Sequence, residues 1–283
     1  MRTYPPCIPC FFKQVIQTAN FIGVDEKTLR EMLTGLGERL SRIDWQKSPA
    51  ENAQIVYELL SEVTGVEDPY RKLKEQSILT ALKVYPELKK IVASSKDPLL
   101  AALKVAAAGN AIDFGVPGGF DIHEEVAHIR ERTFAISAYD EFRKRLRDAP
   151  WVLILGDNAG ETVFDRVLIE TLDVDVVYAV RSTPVINDVT RKEALASGIG
   201  EVARIVETGM GIPSTVPQMV SPEFSRILYD APLIISKGQG NFEGMEGSGL
   251  PVFFLLKAKC EVVAGVLGVS IGELVFKGEV NGW

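Results

Sequence analysis

The amino-acid sequence predicts an α/β protein in which an all-helical segment precedes a mostly parallel β-sheet. Up to Pro150, apolar residues recur at three- and four-residue intervals, as on the buried face of a helix. After Pro150, short β-branched runs alternate with helical stretches, which indicates strands buried on both faces. Polar loops follow three of these runs, and two of the loops contain glycine. We therefore predict a helical subdomain over residues 1–149, which contributes to a pocket, and a three-layer α/β/α, Rossmann-like domain over residues 150–283.

The helical half carries clear signals for where helices begin and end. Asp25 is a favoured N-cap residue, and Pro49 and Pro98 suit the first turn of a helix. The predicted helices run from Phe11 to Phe21, Asp25 to Arg42, Pro49 to Thr64, Tyr70 to Ser94 and Pro98 to Ala111. A further amphipathic helix is predicted from Glu125 to Arg147, because its apolar residues recur mostly at steps of three and four.

The second half is predicted to supply the strands of the sheet. The predicted strands are Trp151–Leu155, Val174–Val180, Arg204–Val206, Pro232–Ser236 and Val252–Leu256, with Leu274–Phe276 as an edge strand or hairpin. In open α/β sheets, ligands bind outside the carboxyl ends of the strands. The loops that begin at Gly156, Arg181 and Lys237 occupy that position, so we expect the chemistry of the protein there.

Composition excludes several classes of function. The chain has 283 residues, of which 46% are hydrophobic and 24% are charged, and its formal net charge is −7. This balance opposes binding to nucleic acid or an anionic membrane, which requires clustered Lys and Arg. Three cysteines cannot form a disulfide scaffold, no signal-peptide pattern opens the sequence, and no apolar stretch approaches the roughly 20 residues of a membrane span. We expect a cytoplasmic protein, and apolar helix faces in the first 100 residues would permit a homodimer.

The first loop, Gly156 to Glu161, offers ligands for a metal ion. Asp157 and Asn158 supply adjacent hard oxygens that suit Mg²⁺ or Mn²⁺. Gly160 lets the backbone turn, and the start of the following helix presents N–H groups to an anion. The alternative is an N-cap, since Asp and Asn are favoured there. The loop fits neither the dinucleotide fingerprint nor the P-loop pattern.

The second loop repeats the same pattern one strand further along the chain. Asn187 and Asp188 follow a strand, and neighbouring parallel strands lie roughly 5 Å apart, so the two loops can reach one cation. Arg181 can pair with a phosphate or neutralise these carboxylates. We therefore predict that Asp157, Asn158 and Asp188 meet at one edge of the sheet.

The third loop, Lys237 to Glu243, supplies a cation and a backbone able to hold an anion. Lys237 ends a strand and two glycines follow it, which is typical of a phosphate anchor; the alternative is a solvated lysine in a surface loop. Asn241 and Glu243 continue the loop. Independent caps and turns would not be expected to converge at one end of a sheet, so the three loops together favour metal-assisted phosphoryl chemistry.

These motifs resemble the damage-control phosphatase family, long known as domain of unknown function 89. The resemblance covers nearly the whole chain, and the pair Cys7 and Cys10 resembles the short, stand-alone microbial branch. It implies that Asp157, Asn158 and Asp188 bind the metal and that Lys237 holds the phosphoryl group. It also implies a divalent ion, with Mn²⁺, Co²⁺ or Ni²⁺ preferred and Mg²⁺ possible, and hydrolysis of small phosphorylated metabolites.

The predicted catalytic residues are Asp157, Asp188 and Lys237. The predicted substrate-binding residues are Asn110, Asp113, Gly160, Glu161, Arg181, Lys237, Asn241 and Glu243. Asn110 and Asp113 lie three residues apart, on one face if the helix continues, and the alternative is a helix C-terminal cap closed by Gly115. The nucleophile stays open between metal-activated water and a carboxylate such as Asp157, with Glu243 or Asp113 orienting the water.

Three alternatives remain for the function. The chain could bind a phosphometabolite as a sensor without hydrolysing it. It could be a carboxyl methyltransferase that uses S-adenosylmethionine, although no Gly-x-Gly loop follows its first parallel strand. It could also act in redox chemistry through Cys7 and Cys10, which we interpret as a structural or redox-sensitive pair near the pocket.

Overall fold

The computed structural model describes residues 1–111 and 122–279, and within these ranges seven strands form one sheet. The strands are β1 Phe134–Ser137, β2 Trp151–Leu155, β3 Asp175–Val180, β4 Arg204–Glu207, β5 Ile234–Lys237, β6 Val252–Lys257 and β7 Leu274–Glu279. Their order across the sheet is β1-β7-β6-β5-β2-β3-β4. The five predicted strands that became β2 to β6 are confirmed to within two residues at each end.

The central part of the sheet is parallel. Strands β4, β3, β2, β5 and β6 pair in parallel, whereas β7 runs antiparallel to β6 and pairs in parallel with β1. Residues Val152 to Leu155 of β2 are fully buried although their side chains alternate between faces. The predicted α/β fold with a mostly parallel sheet is therefore confirmed.

The helices that the structure describes are α1 Ile8–Ile22, α2 Glu26–Arg39, α3 Pro49–Asn52, α4 Gln54–Thr64, α5 Arg71–Ala93, α6 Pro98–Ala111, α7 Ile122–Ala127, α8 Tyr139–Asp148, α9 Thr162–Ile169, α10 Arg191–Ala196, α11 Pro222–Asp230, α12 Gly238–Met245 and α13 Glu261–Leu267. Helices α5, α6, α8 and α9 share one hydrophobic core with one face of the sheet. Helices α11, α12 and α13 pack on the other face, which gives the three predicted layers. Helices α1, α2 and α4 form a separate cluster of their own.

The predicted helix from Glu125 to Arg147 is wrong. The segment contains α7, a short 3₁₀ turn at Ile129–Glu131, strand β1 and α8. The apolar residues of α7 and α8 recur at helical intervals on both sides of the strand, so the sequence alone indicates one continuous amphipathic helix. Strand β1 has only four residues, and its Phe134 packs beside Phe276 of β7 with ring centroids 5.9 Å apart.

Strand β7 is also not the edge strand or hairpin of the prediction, because β1 covers its outer side. Strand β1 therefore belongs to the sheet, although its residues precede the predicted domain boundary at residue 150.

In the part of the chain that the structure describes, no helix has both the length and the apolar character needed to cross a membrane.

Candidate active site

The turns that follow β2 and β3 are joined through their backbones. The Val189 N–H donates to the Asp157 carbonyl at 2.8 Å, and the Ala159 N–H donates to the Asn187 carbonyl at 2.8 Å. Asn158 and Asp188 form an isolated antiparallel bridge between these bonds. The two loops therefore meet at the carboxyl edge of the sheet, as the sequence predicted.

A cluster of acids and amides occupies this meeting point. The Asn110 Nδ2 donates to Asp157 Oδ2 at 2.9 Å and to Glu161 Oε1 at 2.7 Å. The Asn158 Nδ2 donates to the same two oxygens, at 3.0 and 2.5 Å. Burial raises the pKa of Asp157 well above its ordinary value, and the nearby carboxylates of Glu161 and Asp188 raise it further. The arrangement concentrates negative charge that a cation would neutralise.

Asp188 is held by a buried guanidinium. The Arg181 Nε donates to Asp188 Oδ2 at 2.8 Å, and both side chains are only 1% exposed. The other guanidinium nitrogens of Arg181 donate to Thr215 Oγ1 and to Asn241 Oδ1. Burial raises the pKa of Asp188 more than Arg181 lowers it. Arg181 thus orients a site carboxylate from beneath and is not free to reach a ligand.

Lys237 lies beneath the acidic cluster as well. Its ammonium is fully buried and donates to Asp165 Oδ1 at 2.5 Å and to Glu161 Oε2 at 3.2 Å. The Tyr178 hydroxyl donates to the second oxygen of Asp165 at 2.7 Å. Burial alone would lower the pKa of Lys237, but the two carboxylates outweigh it and raise the pKa. Lys237 therefore neutralises two buried acids in this structure.

The residue after Lys237 has to be glycine. Gly238 has a φ of +79°, and a Cβ atom at this position would overlap the Asp157 carboxylate. The backbone at the start of α12 therefore packs directly against the carboxylate of Asp157, a candidate metal ligand. This contact joins the third loop to the first.

One cavity opens above these groups, with a volume of about 990 Å³. Its floor contains Asn110, Asp157, Asn158, Asn187 and Asp188. Its walls come from the first helices and from α12 and the segments after β6 and α13, and include Cys7, Cys10, Phe11, Lys13, Gln14, Pro49, Ala53, Gln239, Glu243, Lys257, Lys259, Cys260 and Ile271. The helical half and the sheet therefore build the cavity together.

Glu243 is the buried acid of the cavity wall. Its carboxylate accepts from Gln239 Nε2 at 3.0 Å. Burial raises the pKa of Glu243 to about 7, although the hydrogen bond from Gln239 opposes the shift. A carboxyl group with this pKa can both accept and release a proton near neutral pH.

The predicted metal ligands have the chemistry that a hard divalent cation requires. Asp157, Asn158 and Asp188 supply two carboxylates and a carboxamide, the hard oxygen donors that Mg²⁺ and Mn²⁺ accept, and all three line the cavity. Within residues 1–111 and 122–279, no group of three or more His, Cys, Asp and Glu is arranged to hold a metal ion. The candidate ligand set thus combines two carboxylates with one carboxamide. Its two buried acids repel each other, and a divalent cation between them would relieve this repulsion.

Comparison with known proteins identifies the family of the chain. A family model described as the damage-control phosphatase ARMT1-like domain matches residues 3–275. The chain belongs to the damage-control phosphatase ARMT1-like family. A damage-control phosphatase of Archaeoglobus fulgidus is 32% identical over 98% of this chain and 99% of its own length. Another, from Pyrococcus horikoshii, is 31% identical over 97% of both chains.

A solved structure extends the comparison to the fold. The crystal structure of a DUF89 family protein from Pyrococcus horikoshii matches with a TM-score of 0.91 and 30% identity, covering 98% of this chain and 99% of that one. These relatives support a phosphatase function for this member of the damage-control phosphatase family.

The predicted site residues separate into two layers. Asn110, Asp157, Asn158, Asp188 and Glu243 line the cavity. Gly160, Glu161, Arg181, Lys237 and Asn241 are buried beneath it, where Asn241 donates to the Gly156 carbonyl at 3.0 Å. Asp113 lies outside the described residues. The roles assigned to these residues stay predictions, but only the first layer is placed to touch a ligand directly.

Several residues of the site were missed in the sequence. Lys257, the last residue of β6, and Lys259 line the cavity, and they lie at the carboxyl end of a parallel strand, where ligands bind in such sheets. Asp165 lies on α9, and no pattern in the sequence predicts its contact with Lys237. The Tyr57 hydroxyl is buried, and this burial together with the nearby Asp188 carboxylate raises its pKa well above the ordinary value.

All three cysteines of the chain line the cavity. Desolvation raises the pKa of the buried Cys7 thiol and also that of Cys10, although Cys10 is exposed, so both are thiols at neutral pH. Because the thiolate is the reactive form, this environment does not favour redox chemistry at the pair.

Proposed function

We propose that this chain hydrolyses small phosphomonoesters with the help of a divalent ion held by Asp157, Asn158 and Asp188. The observation that carries the proposal is the junction of the first two loops, which brings these side chains to the floor of one cavity. The phosphatase relatives support the reaction class. When bound, the ion would supply Lewis-acid stabilisation of the charge on the phosphoryl oxygens.

The surrounding residues have defined tasks in this proposal. Asn110 donates to Asp157 and Glu161 and so fixes the orientation of the acidic cluster. Arg181 holds Asp188 in place from below. Glu243, whose pKa lies at about 7, takes a proton from the attacking water or returns one to the leaving oxygen.

The volume of the cavity bounds the substrate class. About 990 Å³ accommodates a phosphorylated metabolite of ordinary size rather than a macromolecule. Its walls combine apolar side chains such as Phe11 and Ile271 with polar groups such as Gln14 and Gln239. We expect a substrate with both polar and apolar parts attached to the phosphate.

The proposal is tested with purified protein and a panel of phosphomonoesters, with Mn²⁺, Co²⁺, Ni²⁺ or Mg²⁺ added in turn. Asp157→Asn and Asp188→Asn should each lower kcat/KM by about a hundredfold or more, because the ligand charge is lost while the side-chain shape stays. Asparagine at 188 can still accept from Arg181, so the fold is kept. The exposed Asp148→Ala serves as the control variant and should leave the rate unchanged.

Metal binding has a separate readout. Mn²⁺ should raise the melting temperature of the wild type and not that of Asp157→Asn, because a ligand that binds only the folded state stabilises it. Full activity in both Asn variants would contradict the ligand assignment. Phosphate binding without release of inorganic phosphate under every metal would instead favour a sensor.

A further inference from the structure

One turn of the candidate active site has an unusual backbone conformation. The Asp188 N–H donates to the Val185 carbonyl at 3.0 Å, which closes a β-turn with Ile186 and Asn187 at its centre. Ile186 has a φ of +37°, and in the part of the chain that the structure describes it is the only residue other than glycine with a positive φ. A positive φ at the first central position of a turn favours glycine, and it is especially unfavourable for a β-branched residue. The turn therefore holds isoleucine in a conformation that its own side chain opposes.

Backbone hydrogen bonds on both sides keep the turn in this conformation. The Ala159 N–H donates to the Asn187 carbonyl, and the Val189 N–H donates to the Asp157 carbonyl, both at 2.8 Å. A strained residue persists only where the surrounding structure determines its conformation, and such residues cluster at functional sites. We therefore expect the isoleucine to serve the site at whose edge it lies.

The hydrophobic core does not explain why isoleucine occupies this position. Ile186 is half-buried, and within residues 1–111 and 122–279 it belongs to none of the hydrophobic clusters. Glycine or asparagine would form such a turn with less strain. The isoleucine side chain therefore contributes something other than core packing.

The cavity supplies that other role. The first two loops contribute five residues to its lining, namely Asp157, Asn158, Ile186, Asn187 and Asp188. Four of these five are acids or amides, and Ile186 is the apolar one. It precedes Asp188 by two residues, so an apolar surface lies beside the candidate metal ligands.

A phosphomonoester brings a carbon group close to this surface. With its phosphoryl group at the floor of the cavity, the carbon atoms next to the ester oxygen are only a few bonds away from the floor. Apolar carbon that packs on the Ile186 side chain is removed from water, which is favourable. A hydroxyl group at the same place would lose its water and gain no hydrogen bond from isoleucine.

We propose that Ile186 is a specificity-determining residue, whose side chain packs against the carbon atoms next to the ester oxygen and favours phosphomonoesters that are apolar at this point. The inference rests on the proposed phosphatase function, and it adds the chemistry of the substrate beside the phosphate. The strained turn is the device that holds this side chain at the edge of the floor.

The test measures how well the protein discriminates between two esters. Phenyl phosphate is apolar next to its ester oxygen, whereas glycerol 1-phosphate has a hydroxyl group close to it. Ile186→Ala should lower the ratio of kcat/KM for phenyl phosphate to kcat/KM for glycerol 1-phosphate by about tenfold, because the apolar contact is lost. Ile186→Leu should keep most of the ratio, since the apolar volume stays. The intrinsic reactivities of the two esters are the same for every variant and cancel from this comparison.

Binding of analogues that cannot be hydrolysed gives a readout that does not depend on turnover. Phenylphosphonate and methylphosphonate are titrated calorimetrically in the presence of Mn²⁺. The wild type should bind phenylphosphonate more tightly, and Ile186→Ala should reduce this preference by about tenfold as well. The matched control is Leu79→Ala on α5, an exposed apolar residue that does not line the cavity, and it should keep both wild-type ratios.

Stability tests the strain in the turn. Ile186→Gly should unfold at a higher urea concentration than Ile186→Ala, because glycine adopts a positive φ without crowding its own backbone. The opposite order would show that the turn is not strained and would overturn the inference.

The remaining outcomes separate the inference from the proposed function. Equal losses for both esters in Ile186→Ala, with an unchanged preference between the two phosphonates, would show that Ile186 only shapes the Asp188 turn. That result would overturn the inference and leave the phosphatase function standing. A preference for phenylphosphonate that depends on Ile186, without release of phosphate from either ester, would support the inference and overturn hydrolysis. A wild type that neither hydrolyses the esters nor binds the phosphonates would overturn both.

Discussion

At the scale of single residues, the carboxyl group of Glu243 gives the protein a pH-dependent stability. It lies in the cavity wall but is only 9% exposed, so ionisation removes charge from water at a cost in free energy. Burial raises its pKa to about 7 from an ordinary value of 4.5. A raised pKa in the folded state means that the stabilising contribution is complete below the unfolded pKa and is lost as pH rises through about 7.

We therefore predict that Glu243→Gln stabilises the metal-free protein at pH 8 and has little effect at pH 5. The gain at pH 8 should reach up to about 3 kcal/mol in the free energy of unfolding, since each pKa unit corresponds to about 1.4 kcal/mol. Urea denaturation of both proteins from pH 5 to 8.5 measures it. Glu261→Gln, an exposed acid of the same cavity, should show no such pH dependence. Parallel stability curves for wild type and Glu243→Gln would contradict the prediction.

The sequence predicted which loops meet, but not which of the predicted site residues line the cavity. Parallel strands bring their carboxyl ends to one edge, which is why Asp157 and Asp188 could be predicted to meet. The sequence could not predict that the Lys237 ammonium lies beneath the cavity. Its position depends on Asp165 of α9, which also accepts from Tyr178 of β3, and these contacts form only when the layers pack. Whether a cation points into a cavity or under it is decided by such tertiary contacts.

At the scale of elements, a buried ion pair ties the helical half to the second loop. Lys74 of α5 is fully buried and lies 2.8 Å from Asp68 and 3.2 Å from Glu193 of α10. Glu193 also closes the capping box with Thr190 at the start of α10, two residues after Asp188. The position of the Asp188 loop therefore depends on a helix from the other half of the chain.

We predict that Lys74→Met lowers the free energy of unfolding by about 3 kcal/mol, because it leaves the buried Glu193 carboxylate without its cation. Hydrogen exchange should show the amides of α10 losing protection first, and kcat/KM should fall with it, because the start of α10 fixes the Asp188 turn. Denaturant unfolding and exchange measured on the same samples provide the check. Lys72→Met, an exposed neighbour on α5, should change stability by less than about 0.5 kcal/mol. Unchanged protection of α10 in Lys74→Met would refute the link.

The elements that the sequence predicted correctly are those with long, regular patterns. Strand β2 was placed to the residue because five consecutive apolar residues lie between clear breaks. Strand β1 was missed because it has only four residues and lies between two short helical stretches, and its partner β7 lies more than a hundred residues later. Short strands whose partners are distant carry too little local signal, since pairing and not propensity determines them.

At the scale of the whole molecule, one hydrophobic core extends across the boundary at residue 150 that composition predicts. Helices α5, α6 and α8 share a core with the sheet, and β1 covers the outer side of β7. Helices α1, α2 and α4 bury their apolar faces mainly on one another. A cut at residue 150 therefore divides a core, whereas a cut near Val66 separates two clusters.

We accordingly predict that residues 150–283 alone do not fold, because one face of the sheet and the open edge of β7 would be exposed to water. The chain from Val66 onward should keep the native sheet, since it retains α5, α6, α8 and β1, but it should bind phosphate weakly because one wall of the cavity is missing. Near-ultraviolet circular dichroism and urea unfolding of the two fragments beside the full chain decide the point. A soluble 150–283 fragment with a cooperative transition would show that the helices on this face are dispensable, and the boundary suggested by composition would then be the physical one.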